Sequence, residues 1–238
     1  MKIISHRGAA GLAPENTVLG IKIAKQYEIE YIEVDAQATR DGHLVLSHDD
    51  HFRTQSGTQI KIEDATLKDI RGKSGAKHKI PTLEEAFKAA GKTPLLIDCK
   101  GNGWEDALVK SLKKFKGPKP IVACDDSHKL FAFSEAAPNI DCYLSELTRP
   151  FETVQAARAL GFAGVCLLYS IYNPLVYFAA KRSGLKMTMY TVNRPVYAWF
   201  LHFFYPEVMI TTDFPDRFTP KKRKLTSNRK RRKRSKKK

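Results

Sequence analysis

The chain has 238 residues, 42% of them hydrophobic, which suits one sizeable α/β domain or two small ones and excludes general disorder. Its formal charge of +16 is uneven: 13 of the 41 Lys and Arg fall in the last 18 residues, which hold no acid, so residues 1–220 are only mildly basic. No run reaches the roughly 20 apolar residues of a membrane helix, and Ile3-Ile4 before His6-Arg7 is far short of a signal-peptide core. A soluble, cytoplasmic protein is expected, with a nuclear address open if the host is eukaryotic.

In chain order, residues 2–6 read as a strand running into His6-Arg7-Gly8. Gly8, Gly11 and Pro14 make a loop. Asn16 or Thr17 offers a short side-chain oxygen to cap a helix continuing through Val18, Ile21, Ala24 and Tyr27. Residues 31–35 form the second strand, apolar but for Glu33 and Asp35. Asp41-Gly42 predicts a two-residue type I′ hairpin, since both central positions of that turn need positive φ. Its arms are residues 36–40 and 43–48, and the second arm delivers His48-Asp49. The polar stretch 50–80 holds one short helical piece near 66–71 and reads as a small insertion.

From Thr82 the pattern is regular. Thr82 and Glu85 have capping-box spacing and open a helix. Strands follow at 95–100, 121–124, 140–144, 165–168, 187–192 and 208–212, with helices at 104–115, 127–137, 151–160, 174–182 and 195–204 between them. Eight strands separated mostly by helices imply a parallel sheet, and about 220 residues fit a small (β/α)8 TIM barrel. An open doubly wound sheet is the alternative. The expected organisation is a barrel over 1–220, with its insertion after the second strand, and a disordered basic tail over 221–238. No helix follows the last strand, so the eighth unit reads as incomplete. The spacings of Cys99, Cys124, Cys142 and Cys166 match no zinc or CxxC motif, so free, buried thiols in a reducing compartment are expected.

Barrel enzymes carry reactive groups at the carboxyl ends of their strands. His6 and Arg7 end the first strand, Glu33 and Asp35 the second, Asp98 and Lys100 the third. Side chains two apart share a strand face, so Glu33 pairs with Asp35 and Asp98 with Lys100. Three converging carboxylates make a hard-oxygen site suited to Mg2+ or Ca2+. Arg7 and Lys100 offer positive charge to a phosphate or carboxylate, and His6 and His48 are candidates for general acid and base.

Taken together, His6-Arg7-Gly8, Pro14-Glu15-Asn16-Thr17, Glu33-Val34-Asp35, Asp41-Gly42 and His48-Asp49 resemble the glycerophosphodiester phosphodiesterase family. Ile80-Pro81-Thr82-Leu83-Glu84-Glu85, Leu96-Ile97-Asp98-Cys99-Lys100, Tyr190-Thr191-Val192-Asn193 and Thr212-Asp213-Phe214-Pro215 fit the same pattern. The resemblance spans residues 2 to about 216. It implies a barrel with an insertion after the second strand and a divalent metal, Mg2+ or Ca2+, on Glu33, Asp35 and Asp98. It also implies His6 and His48 as the acid–base pair, Arg7 and Lys100 on the phosphate, and Tyr190 in the substrate wall. The implied route opens with attack of the glycerol 2-hydroxyl on phosphorus and ends with water opening a cyclic phosphate to glycerol 3-phosphate. The chain departs from the family pattern at Asp98, usually Glu; at Tyr190, commonly Trp; and at Asp50, usually Pro. None of these removes a required chemical type, so an active enzyme is expected.

Two further readings are weighed. One is lysophospholipase D-like cleavage of lysolipids, which needs an apolar groove. Phe52, Tyr172, Trp199 and Phe203 are its candidates, although spacing turns the last two toward the core. The other is a non-catalytic barrel that works through its tail. That tail could be a nuclear address, bind nucleic acid through phosphates, hold the chain on anionic lipid, or have no partner. It lacks aromatics, which argues against base stacking.

Overall fold

Short apolar strands alternating with half-buried helices close into a (β/α)8 barrel in the computed structural model, which describes residues 1–75 and 77–222. β1 (Lys2–Ser5) leads to α1 (Val18–Ala24), β2 (Tyr31–Ala38) and the antiparallel β3 (Leu44–Leu46). The ribbon of β4 (His51–Arg53) and β5 (Gln59–Lys61), with α2 (Leu67–Lys73), forms the insertion. Then come α3 (Leu83–Ala90), β6 (Leu95–Lys100), α4 (Trp104–Lys114), β7 (Ile121–Cys124), α5 (Ser127–Ala136), β8 (Asp141–Glu146) and α6 (Pro150–Ala159). The chain continues through β9 (Gly164–Leu168), α7 (Pro174–Arg182), β10 (Lys186–Tyr190), α8 (Pro195–Phe204) and β11 (Met209–Thr212). The parallel staves run β1-β2-β6-β7-β8-β9-β10-β11, and β11 pairs back onto β1 with Lys2 opposite Met209. That closure removes the open doubly wound alternative. After β11 only a 3-10 turn, Pro215–Arg217, follows among the described residues, so the eighth unit is indeed short.

Apolar side chains sort into three clusters. Strand residues such as Ile32, Val34, Leu95, Ile97 and Cys99 face outward and pack under the helices with Trp104, Leu108 and Phe133. Residues of the opposite strand face, including Ile4, Leu96, Ile121, Tyr143 and Met209, plug the barrel interior. A third group, Val45, Phe52, Ile62, Ala65 and Ile70, forms a small core beneath the insertion. The insertion is thus more ordered than its polar sequence predicts: it adds a ribbon, and α2 carries a capping box between Thr66 and Asp69. The Thr82–Glu85 box on α3 forms as expected. All four cysteines are free and buried.

The interior plug has no spare room at Gly164. A Cβ there would sit 2.5 Å from the Lys186 carbonyl oxygen and 2.8 Å from the Tyr143 ring. Gly164→Ala is expected to destabilise the barrel by about 1–3 kcal/mol, the usual cost of overpacking, read from denaturant midpoints.

Three expectations change and one open alternative, the cap of α1, is decided. The β2–β3 connection is not a type I′ turn: Gly42 has positive φ, Asp41 does not. Gly42 donates to the Thr39 carbonyl, and Thr39 to the His43 carbonyl, which is the longer loop with a glycine bulge. Thr17 caps α1, while Asn16 turns inward to the site. Lys221 and Lys222, assigned to the tail by charge, are tied to the segment 26–28: Lys221 bridges Tyr27, and Lys222 donates to the Gln26 carbonyl. The tail functions expected of 223–238 lie outside the described residues. Finally, Trp199 and Phe203 do not face the core; they are 66% and 80% exposed. Phe52 is buried under the insertion and Tyr172 packs on Tyr177 and Tyr205, so these four aromatics do not build an acyl groove.

Candidate active site

The strand period of two decides what reaches the barrel mouth. On β2, Ile32, Val34 and Ala36 go outward to the helices, which leaves Glu33, Asp35 and Gln37 on the inner face. On β6, Leu96 joins the interior plug and Asp98 and Lys100 follow above it. The strands pair in register, with Asp35 directly opposite Asp98. Carboxylate oxygens of Glu33, Asp35 and Asp98 consequently lie within 4.8 Å of one another. Register answers the question raised by the shorter Asp98: it reaches the other two acids because it starts from the adjacent position on the neighbouring stave.

All eight residues singled out from the sequence, His6, Arg7, Glu33, Asp35, His48, Asp98, Lys100 and Tyr190, line one cavity of about 530 Å³. The turn after β1 builds its first wall. Arg7 and Gly8 both adopt positive φ, and a Cβ on Gly8 would come 3.0 Å from the backbone of α1. This curl aims the Arg7 amide at the Glu33 carboxylate, 2.6 Å away, and the Gly8 amide at the Glu33 carbonyl. Arg7 then places its Nε 3.2 Å from Asp35 and its Nη1 3.0 Å from Glu15. Lys100 Nζ sits 2.8 Å from Asp98 and 3.6 Å from Asp35.

Such crowding of acids is costly. Burial, reinforced by the Asp35 charge, pushes the Glu33 carboxyl up to about 8. Burial also raises Asp98, partly offset by the Lys100 ammonium. Burial opposes the charge on Lys100, but Asp98 and Asp35 outweigh it and raise its pKa. A divalent cation on the three oxygens would relieve the repulsion that burial magnifies. The all-carboxylate donor set fits a hard ion of the Mg2+ or Ca2+ type; the described residues hold no other cluster of this kind.

The histidines are held differently. His6 is largely buried; its Nδ1 lies 2.6 Å from Asp213 and its Nε2 3.9 Å from Glu33. Burial works against its protonated form, yet the Asp213 hydrogen bond and the two nearby negative charges win and raise its pKa. His48 is exposed at the rim beside Asp49, 3.0 Å away. The Gln37 amide ties down its loop by donating to the carbonyls of Ser47, His48 and Asp49. Tyr190 forms part of the far wall, its hydroxyl near Ser145 and the Glu146 carbonyl.

Several members escape a reading by residue type. Asp213 receives the Asn193 amide at 2.6 Å and orients His6. Asn16, in a left-handed conformation, brackets Asp35 by donating to its carboxylate at 2.8 Å and accepting from its amide at 3.0 Å. Asp125, one residue past β7, also lines the cavity. The motifs around Asn16, Asn193 and Asp213 mark the right segments, but only the fold brings residues 6 and 213 together. A hydrogen-bonded carboxylate fixes the tautomer and direction of a histidine ring. Asp213→Asn should therefore lower kcat about 10- to 100-fold with little change in KM, in steady-state assays.

A (β/α)8 barrel that gathers an acidic triad, two cations and two histidines at one cavity has the groups that a phosphoryl-transfer enzyme of the barrel class requires. The sequence profile of the Glycerophosphoryl diester phosphodiesterase family matches residues 6–217, and the chain belongs to that family, which makes it a phosphoric diester hydrolase. It is 28% identical to a glycerophosphodiester phosphodiesterase of Caldanaerobacter subterraneus subsp. tengcongensis, over 81% of this chain and 86% of that one. It is 31% identical to YhdW of Bacillus subtilis, over 91% of this chain and 96% of that protein. Among solved structures, an Oleispira antarctica phosphodiesterase in complex with its product sn-glycerol-3-phosphate superposes with a TM-score of 0.81. At 24% identity, covering 91% of this chain and 94% of that one, it shares the fold.

Proposed function

We propose that this chain hydrolyses glycerophosphodiesters to glycerol 3-phosphate and an alcohol, with a divalent cation held by Glu33, Asp35 and Asp98. The observation that carries this reading is the convergence of those acids with His6, His48, Arg7 and Lys100 on one cavity. The glycerol 3-phosphate product of the Oleispira enzyme, which has the same fold, supports the substrate class.

Arg7 and Lys100 receive the anionic phosphodiester and hold it against the acids. One histidine removes the proton of the glycerol 2-hydroxyl as its oxygen attacks phosphorus. The bond from phosphorus to the head-group oxygen breaks, and the other histidine gives that oxygen a proton. Water, deprotonated by the second histidine, then attacks the cyclic phosphate; the bond from phosphorus to the 2-oxygen breaks and the first histidine returns a proton to that oxygen, yielding glycerol 3-phosphate. A bound cation would supply electrostatic stabilisation of charge developing on the phosphoryl oxygens. Asp213 and Asn193 hold the His6 ring, Gln37 the His48 loop, and Tyr190 bounds the space for the glycerol or head group. Four unpaired thiols favour a reducing compartment such as the cytoplasm. No helix among the described residues is long and apolar enough to cross a membrane.

Three substrates test the reading: glycerophosphocholine, its analogue lacking the glycerol 2-hydroxyl, and lysophosphatidylcholine. Turnover of the first and none of the second is expected, since the internal nucleophile is then missing. Equal rates on the first two would overturn attack by the 2-hydroxyl, and preference for the lysolipid would favour the lysophospholipase D reading.

A further inference from the structure

The strongest feature outside the cavity is the outer face of α7 and α8. Leu175 and Val196 are each 69% exposed, and Phe178, Trp199, Phe200 and Phe203 also stand in solvent. Isolated exposed hydrophobics are ordinary, but a contiguous group marks a surface meant to be covered. Several of its rings are joined. Phe203 and Phe200 contact Phe204 at 5.1 and 4.7 Å between ring centres. Phe204 contacts Tyr205, Tyr205 contacts Tyr177 and Tyr177 contacts Phe178, so the exposed rings of the two helices are joined beneath the surface through the buried Tyr177.

Charge says what covers it. Neither α7 nor α8 contains an acid; Arg182 in the last turn of α7 and Arg194 at the cap of α8 add positive charge, while Lys181 is paired with Glu207 at 3.0 Å. Thirteen further Lys and Arg lie in the last 18 residues. A second copy of the chain would bring an equal positive charge, +16 at neutral pH, against this face. An anionic lipid layer complements it, and a Trp- and Phe-rich face edged by Lys and Arg is the pattern of helices that lie in the lipid interface. We propose that the α7–α8 face docks the enzyme on anionic lipid surfaces. Because α7 follows β9 and α8 follows β10, the first turns of both helices lie at the carboxyl end of the barrel, where the cavity opens. Docking brings that rim of the mouth to the lipid boundary. The inference stands on exposure and charge and does not depend on the catalytic assignment.

The chain carries its own probe. It has two tryptophans: Trp104, fully buried between the strands and the helix layer, and Trp199 on the face. The full chain is mixed with vesicles of phosphatidylcholine containing phosphatidylserine, and with vesicles of phosphatidylcholine alone. Co-sedimentation with the anionic vesicles and a blue shift of tryptophan emission are expected. A triple variant, Trp199→Ser with Phe200→Ser and Phe203→Ser, should bind them at least about tenfold more weakly, since membrane affinity scales with buried apolar area. Its turnover of water-soluble glycerophosphocholine should be unchanged, which also reports that it folds. Vesicle binding without a blue shift and equal in wild type and variant would assign attachment to the basic tail and overturn the proposal. So would no binding to either vesicle. A blue shift that grows with protein concentration in vesicle-free buffer, together with a dimer mass, would place a second copy on the face and overturn it as well.

Discussion

Replacing His6 or His48 by alanine is expected to lower kcat on glycerophosphocholine by about 10²–10⁴-fold each, the usual contribution of a positioned acid or base. Both rings border the same cavity, one clamped by Asp213 and one held by a loop that Gln37 ties down. Neither histidine belongs to the acidic cluster, so both variants should bind Mg2+ or Ca2+ as wild type does. The double variant should be little worse than the worse single one, because each proton transfer fails without its partner. Steady-state rates alongside calorimetric metal titration would separate loss of proton transfer from loss of the metal site. Near-normal turnover in both single variants would remove the two-histidine route.

The second large effect falls on Asp35. This carboxylate is buried and faces Arg7, Lys100 and Asn16 at once, with Asp98 opposite on the next stave. Asp35→Asn keeps the shape and removes the charge. It should abolish measurable metal binding and lower turnover by about 10³-fold or more, since the electrostatic contribution to phosphoryl transfer is lost. Thermal unfolding gives an independent reading. Ligand that binds only the folded state adds about 2.7 kcal/mol at a hundred times its Kd, so wild type should gain melting temperature in saturating Mg2+ or Ca2+. Asp35→Asn should gain none. A melting temperature of wild type that ignores both ions would count against a cation at Glu33, Asp35 and Asp98.

Much of the fold was legible because its signals are local. Apolar runs of strand length, helix caps such as Thr82 and the Glu33-x-Asp35 alternation need no knowledge of distant residues. The site was legible in part from strand ends: His6-Arg7 follow β1 directly and Asp98 and Lys100 close β6, whereas Glu33 and Asp35, expected at the end of a strand over 31–35, lie inside the longer β2, which runs on to Ala38. What stayed hidden depends on closure and register. Asp213 becomes a partner of His6 only when β11 pairs with β1, and Asn16, with Thr17 in the cap, is seen to bracket Asp35 only once β2 lies beside the β1–α1 turn. Asp41-Gly42 misleads because a single left-handed glycine also serves a longer bulged loop. Trp199 and Phe203 mislead more instructively. Hydrophobicity predicts burial only against this chain's own core, and the α8 face is left without a neighbour within the described residues.

The measurement that bears most directly on the account is product analysis of glycerophosphocholine turnover by the purified chain, with Mg2+, with Ca2+ and after chelation. The account predicts glycerol 3-phosphate and choline in equal amounts, formed only when a divalent cation is present. Glycerol and phosphocholine as products, or undiminished turnover in chelator, would contradict it.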